Sequence, residues 1–149
     1  MKIKVINGPN LNMLGIRERQ IYGNETYEDL LKYIEDESKK RNIEVSFYQS
    51  NHEGAIVDEI QNAYFDKYDG IVINPGAYTH TSIAIADAIK AIAPLPVVEV
   101  HISDIDNRDE FRKHSFSAPY CIAQIKGLGF EGYVKAIDTI ISYLERSSS

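Results

Sequence analysis

The sequence predicts an α/β fold: a doubly wound, five-stranded parallel sheet with helices on both faces. Three observations carry this prediction. Five short runs rich in Val and Ile are continuous rather than alternating in polarity, as strands covered on both faces require. Stretches with apolar residues at helical spacing lie between them, and regular β-α alternation implies parallel strands joined by right-handed crossovers. A length of 149 residues, 44% hydrophobic and 26% charged, suits one domain with a substantial core.

In chain order, the first strand runs from Lys2 to Asn7 (KIKVIN), and a helix follows in which Leu30, Leu31 and Ile34 share one face. Thr26 and Asp29 stand in capping-box spacing at its start. The second strand spans Glu44 to Gln49, and Ile56, Val57, Ile60 and Tyr64 form the apolar stripe of the next helix. The third strand spans Gly70 to Asn74, and its helix runs from about Ser82 to Ala93 with Thr81 as N-cap. The fourth strand is read from Pro96 to Val100, the segment NRDEFRKH holds a short helical turn, and the fifth strand spans Cys121 to Ile125. Val134, Ile137, Ile140, Ile141 and Leu144 place the last helix. This succession is flavodoxin-like, a class in which ligands bind beyond the carboxyl ends of the strands. One catalytic domain is expected over residues 1–146, with 147–149 as a flexible tail.

The net charge of −6 and a pI near 5.2 argue against a nucleic-acid partner, and an anionic ligand would need locally placed arginines. The chain has a single cysteine, Cys121, no secretory h-region and no apolar run long enough to span a bilayer. A cytoplasmic protein without membrane contact is expected, with Cys121 as a small buried thiol.

The strand exits carry the polar residues. From Gly8 to Glu25 the connection far exceeds the about 2 to 6 residues of ordinary βα loops, which points to a lid or binding loop, a floppy insertion being the plain alternative. It holds Asn10, Arg17, Arg19 and Tyr22; Arg17 can pair with a carboxylate or hold a nearby phenol ionised. The third strand exits into NPGAYTHTS, which sets Asn74, Tyr78, His80 and Ser82 beside a helix N-terminus that favours anions. A turn shaped by Pro75 and Gly76 is the structural alternative. The fourth strand ends PVVEVHIS. Glu99 and His101, two apart, point to one face while Val98 and Val100 point to the other, and a carboxylate beside a histidine suits a general acid.

GLGFEG, from Gly127 to Gly132, matches a dinucleotide fingerprint in context, and a flavodoxin-like nucleotide or flavin module is the alternative function it raises. No strand and acidic residue follow it, so the glycines are read as a tight turn with close helix–strand packing. His52, His80, His101 and His114 lack metal-ligand spacing, so no metal is expected.

The blocks INGPNLNMLGIRERQIYG, QSNHEGAIVDEIQNA, INPGAYTHTSIAIADAI, VVEVHISDIDNRDEFRKHS and GLGFEGY closely resemble the type II 3-dehydroquinate dehydratases. The resemblance implies reversible dehydration of 3-dehydroquinate to 3-dehydroshikimate in the shikimate pathway of aromatic amino acid biosynthesis. It implies an anti elimination through an enolate, with no metal or organic cofactor. On this resemblance Tyr22 is the base, Arg17 supports its ionised form, His101 is the general acid with Glu99 as partner, and Asn10 positions a water near the enolate oxygen. Asn74, His80, Arg112 and the backbone amides of Ile102 and Ser103 fall on substrate-binding positions, the two amides holding the carboxylate. The resemblance further implies a dodecamer, a tetramer of trimers, in which Asp87 reaches a neighbouring subunit's site.

Overall fold

The computed structural model describes residues 1–16, 24–105 and 109–147. Strands β1 (Lys2–Asn7), β2 (Glu44–Gln49), β3 (Gly70–Asn74), β4 (Val97–His101) and β5 (Ala123–Lys126) form one all-parallel sheet in the order β2-β1-β3-β4-β5. This is the flavodoxin-like order, with its switch point between β1 and β3. Helices α1 (Tyr27–Lys40), α2 (Glu53–Phe65), α3 (Ile83–Ala91) and α4 (Glu131–Ser147) cover it.

The alternation of side chains along each strand builds two cores. Ile3 and Val5 of β1, Val72 of β3 and Val98 and Val100 of β4 meet Leu30 and Ile34 of α1 and Ala136, Ile137 and Ile140 of α4. On the opposite face Ile6, Ile71, Ile73 and Val97 meet Ile56 and Ile60 of α2 and Ile85 and Ile89 of α3. The capping box of α1 forms as read: Asp29 N–H donates to Thr26 Oγ1 at 3.1 Å, and Thr26 N–H donates to Asp29 Oδ2 at 2.9 Å.

Several boundaries differ from the sequence reading for local reasons. Ser82, not Thr81, caps α3, its Oγ accepting Ile85 N–H at 2.9 Å, because Thr81 is taken into the end of the 3-10 turn Gly76–His80. That helix ends at Ala91, ahead of Pro94. Strand β4 starts after Pro96 and includes His101. Strand β5 starts at Ala123, because the 3-10 turn Ala118–Tyr120 bends the chain just before it. Tyr64 is not part of the core; it is 51% exposed and stacks edge-on against Phe65. Helix α4 continues through Ser147, whose Oγ donates to Tyr143 O at 2.9 Å, so the expected tail does not begin at 147. Cys121 is half-buried, and its thiol donates to Ser117 O at 3.5 Å.

The long first connection is anchored where it is described. After β1 it makes a 3-10 turn, Leu11–Met13, and drops Leu11 and Leu14 into the core under α1. Arg17, Arg19 and Tyr22 lie outside the described residues. Among the described residues no helix is long and apolar enough to cross a membrane.

Candidate active site

The polar groups singled out at the strand exits occupy the carboxyl edge of the sheet, on both of its faces. On the face of α2 and α3, β4 presents Glu99 and His101, both buried, with His101 Nε2 2.9 Å from Glu99 Oε2. A carboxylate only accepts hydrogen bonds, so Nε2 carries a proton and Nδ1 is the ring nitrogen left to exchange one with a ligand.

Glu99 is surrounded by donors from three further segments. Its carboxylate accepts from Thr79 Oγ1 at 3.0 Å, Ser115 Oγ at 2.9 Å, Gln124 Nε2 at 2.8 Å, and the Ser117 hydroxyl. Burial by itself would raise the Glu99 pKa. The hydrogen bond and charge of His101, helped by Ser117 and Gln124, outweigh burial and hold it at about 2, against an ordinary 4.5. Glu99 is therefore an anion at every working pH, and a fixed counter-charge for an imidazolium.

His80 lies near this pair. Its Nδ1 is 2.7 Å from His114 O, and since a carbonyl accepts, Nδ1 is the protonated nitrogen. Burial lowers the His80 pKa first of all; the His114 carbonyl opposes this and the charges of His101 and Arg112 reinforce it. His80 is accordingly a neutral imidazole with Nε2 as acceptor. Arg112 sits in the 3-10 turn Glu110–Arg112, packed against the turn that carries His80, with its guanidinium 5.1 Å from the Phe111 ring centre.

On the other face, Asn74 ends β3 with both amide atoms engaged. Its Nδ2 donates to Tyr133 OH at 2.9 Å, and its Oδ1 accepts Gly76 N–H at 3.1 Å. Tyr133 OH donates in turn to Asn7 Oδ1 at 2.6 Å. Asn10 adopts left-handed backbone (φ 69°), and its N–H donates to Asn51 Oδ1 at 3.0 Å.

The GLGFEG segment has a structural task. Gly127 N–H donates to His101 O at 3.2 Å and Gly129 N–H donates to Ile102 O at 3.0 Å. Peptide groups are planar and trans, so each pinned carbonyl turns the amide that follows it, of Ile102 and of Ser103, the opposite way. Both glycines have positive φ, 81° and 61°, and Gly132 packs near Val100 and Ile125. The glycine amides that a phosphate would need are thus used by the protein itself. Asp87 stands apart, exposed on α3.

Residues 1–141 match the family model described as Dehydroquinase class II. The chain belongs to the class II dehydroquinases. It is 60% identical over 148 residues to a 3-dehydroquinate dehydratase of Fusobacterium nucleatum, covering 98% of this chain and 100% of that one. To a 3-dehydroquinate dehydratase of Clostridium beijerinckii it is 57% identical over 140 residues, covering 94% and 95%. The crystal structure of the type II dehydroquinase from Butyrivibrio crossotus superposes with a TM-score of 0.93 at 59% identity, over 94% of this chain and 97% of that one.

Four side chains of this dehydroquinase edge escaped the sequence reading in any role at the site: Thr79, Ser115, Ser117 and Tyr133. Gln124 was passed over as a strand residue, although strand register alone sets it beside Glu99. For the hydroxyl groups the sequence offers little signal, since serine and threonine near a turn read first as turn formers.

Proposed function

We propose that this chain catalyses the reversible dehydration of 3-dehydroquinate to 3-dehydroshikimate, with Tyr22 as base and His101 as acid. The observation that carries the reading is the buried Glu99–His101 pair at the carboxyl edge of a dehydroquinase sheet. The Tyr22 phenolate takes a proton from the carbon next to the substrate ketone, and the electron pair moves onto the carbonyl oxygen as an enolate. The enolate then expels the hydroxyl, which leaves as water with a proton from His101 Nδ1–H. Tyr22 ends protonated and His101 neutral, and a proton exchange with solvent resets both.

Each role has a physical basis. An ordinary tyrosine, with a pKa of about 10, is protonated at neutral pH, so a neighbouring cation must favour its anion; Arg17 serves without titrating. Glu99 sets a buried negative charge 2.9 Å from the acid imidazole. A water positioned by Asn10 stabilises the enolate oxygen, and Asn74 and neutral His80 hold substrate hydroxyls. The outward amides of Ile102 and Ser103, with Arg112, receive the carboxylate.

Asp87 is assigned to a neighbouring subunit's site. It lies one turn beyond Ile83, which is 60% exposed, so an apolar side chain accompanies the acid on the outer face of α3. A dodecamer built from four trimers accounts for this exposure, and a cytoplasmic setting suits a chain with one cysteine.

The test is a substrate assay on protein of measured size. Turnover of 3-dehydroquinate should appear as rising ultraviolet absorbance of a conjugated enone carboxylate and survive borohydride, because no Schiff base forms. His101→Ala should lower kcat by about 10² to 10⁴, the range of a general acid, and folded Tyr22→Phe should be similarly impaired. Absent turnover by a folded oligomer would sink the reading, and near-normal kcat in either variant would remove that residue's role.

A further inference from the structure

Glu99 has more company than a histidine partner needs. The hydroxyls of Thr79, Ser115 and Ser117 touch the carboxylate and also one another: Thr79 Oγ1 is 2.6 Å from Ser115 Oγ and 3.1 Å from Ser117 Oγ. Three hydroxyls bring three protons to seven oxygen–oxygen contacts among themselves and with the carboxylate, so the arrangement must be ordered by what each can accept. Ser115 Oγ accepts Ala118 N–H at 3.1 Å. Thr79 gives its one proton to Glu99 Oε2 at 3.0 Å, so Ser115 supplies the proton of the short contact between them, and that proton faces the Thr79 oxygen and the Glu99 carboxylate together, 2.9 Å from Oε2 and 3.3 Å from Oε1.

The backbone repeats the same pairing. Phe116 N–H donates to Thr79 O at 2.7 Å, and His80 Nδ1 donates to His114 O at 2.7 Å. The turn Gly76–His80 and residues 114–117 are therefore laced together, and the lacing reaches both imidazoles: His80 directly, His101 through Glu99.

We infer that Ser115, together with Thr79, is a positioning residue for the acid histidine, fixing the orientation of the Glu99 carboxylate and through it the His101 ring. In its kinetic arm the inference rests on the dehydratase reading; in its spectroscopic arm it does not. A hydroxyl that donates to Glu99 draws charge from it, so removing one leaves more of that charge facing His101. The ring then holds its proton to higher pH and loses its fixed aim. The other titratable or charged groups around the pair are Lys126, beside His101 in strand register, His80, Arg112, and the thiol of Cys121, which burial pushes up and keeps neutral.

The experiment compares Ser115→Ala, Thr79→Val and Thr79→Ser with the parent protein, each checked for a cooperative thermal melt. Histidine 15N spectra should show His101 protonated at Nε2 in the parent, and its titration midpoint should move to higher pH in Ser115→Ala and Thr79→Val. On 3-dehydroquinate, kcat should fall about tenfold in these two with KM within about twofold, the effect of one lost hydrogen bond to a charged group. Thr79→Ser, which keeps the hydroxyl, should recover what Thr79→Val loses. Should Ser115→Ala fail to fold, the nearly isosteric Thr79→Val carries the same test. An unmoved His101 titration in the hydroxyl-free variants overturns the inference, as does a loss that Thr79→Ser does not reverse. Failure of the parent to turn over substrate strikes the dehydratase reading instead, and the spectra still decide on Ser115.

Discussion

The Tyr133 hydroxyl joins two asparagines that end neighbouring strands, accepting from Asn74 and donating to Asn7 in a fully buried position. Tyr133→Phe keeps the ring and removes the link, leaving a buried donor and a buried acceptor to be satisfied anew. The expected cost is about 1–3 kcal/mol, or roughly 5 °C in Tm for a chain of this size, with KM raised severalfold as Asn74 loses its anchor. Calorimetry with steady-state kinetics would show it; an unchanged Tm would mean that water repairs the gap. At this scale legibility followed periodicity. Glu99 and His101 could be paired from the sequence because residues two apart on a strand share a face. Ser115 could not be paired with Glu99, nor Tyr133 with Asn7, because those contacts depend on where distant segments meet. The base role given to Tyr22 came from family resemblance, since a tyrosine does not announce a base, whereas Arg17 could be read from its charge alone as a partner for a carboxylate or an ionised phenol.

Between elements, two glycines show opposite ends of the sheet doing different work. At the carboxyl edge, a Cβ on Gly8 would lie 2.5 Å from Pro75 O, backbone against backbone, and Gly8 N–H already donates to Asn74 O at 2.7 Å. Gly8→Ala must force the exits of β1 and β3 apart, shifting Asn10 and Asn74 together. Displacements near 1 Å cost about 10² in rate, so kcat/KM should drop by about that factor. At the amino edge, a Cβ on Gly70 would meet only the Ile140 side chain, at 2.6 Å. Gly70→Ala should therefore act as overpacking, costing about 1–3 kcal/mol in urea unfolding with kcat close to normal. Equal effects of the two changes on kcat would contradict this division of labour. Element types were legible because each has its own apolar period, and the α1 capping box was legible from Thr26 and Asp29 alone. The α3 cap was misassigned between adjacent hydroxyl residues, Thr81 and Ser82, which sequence spacing does not separate; the preceding 3-10 turn decides it.

For the whole molecule, the sheet order followed from regular β-α alternation, with 3-10 turns in place of a helix between β4 and β5, and from the right-handed crossover, which together leave few ways to wind five strands. Global stability then inherits the chemistry of one edge. Glu99 has a pKa of about 2 in the folded protein against an ordinary 4.5. A group whose pKa is depressed by folding contributes stability in full above the unfolded value and loses it as pH falls through the folded value. The window for Glu99 therefore lies between 4.5 and about 2, and a displacement of that size corresponds to a contribution on the order of 3 kcal/mol. The chain carries 22 Asp and Glu residues, so its acid unfolding is a sum over many groups, and only a difference isolates this one. Glu99→Gln supplies that difference. Its amide NH2 can face Ser115 and Ser117, whose hydroxyls can turn to accept, while its carbonyl faces the donors His101 and Gln124. Denaturant unfolding at fixed protein concentration should find the parent more stable than Glu99→Gln at pH 6, and the gap should close as pH falls from 4.5 toward 2. A gap that stays constant across that window would mean that the hydroxyl cage and His101 stabilise the neutral amide as well as the carboxylate.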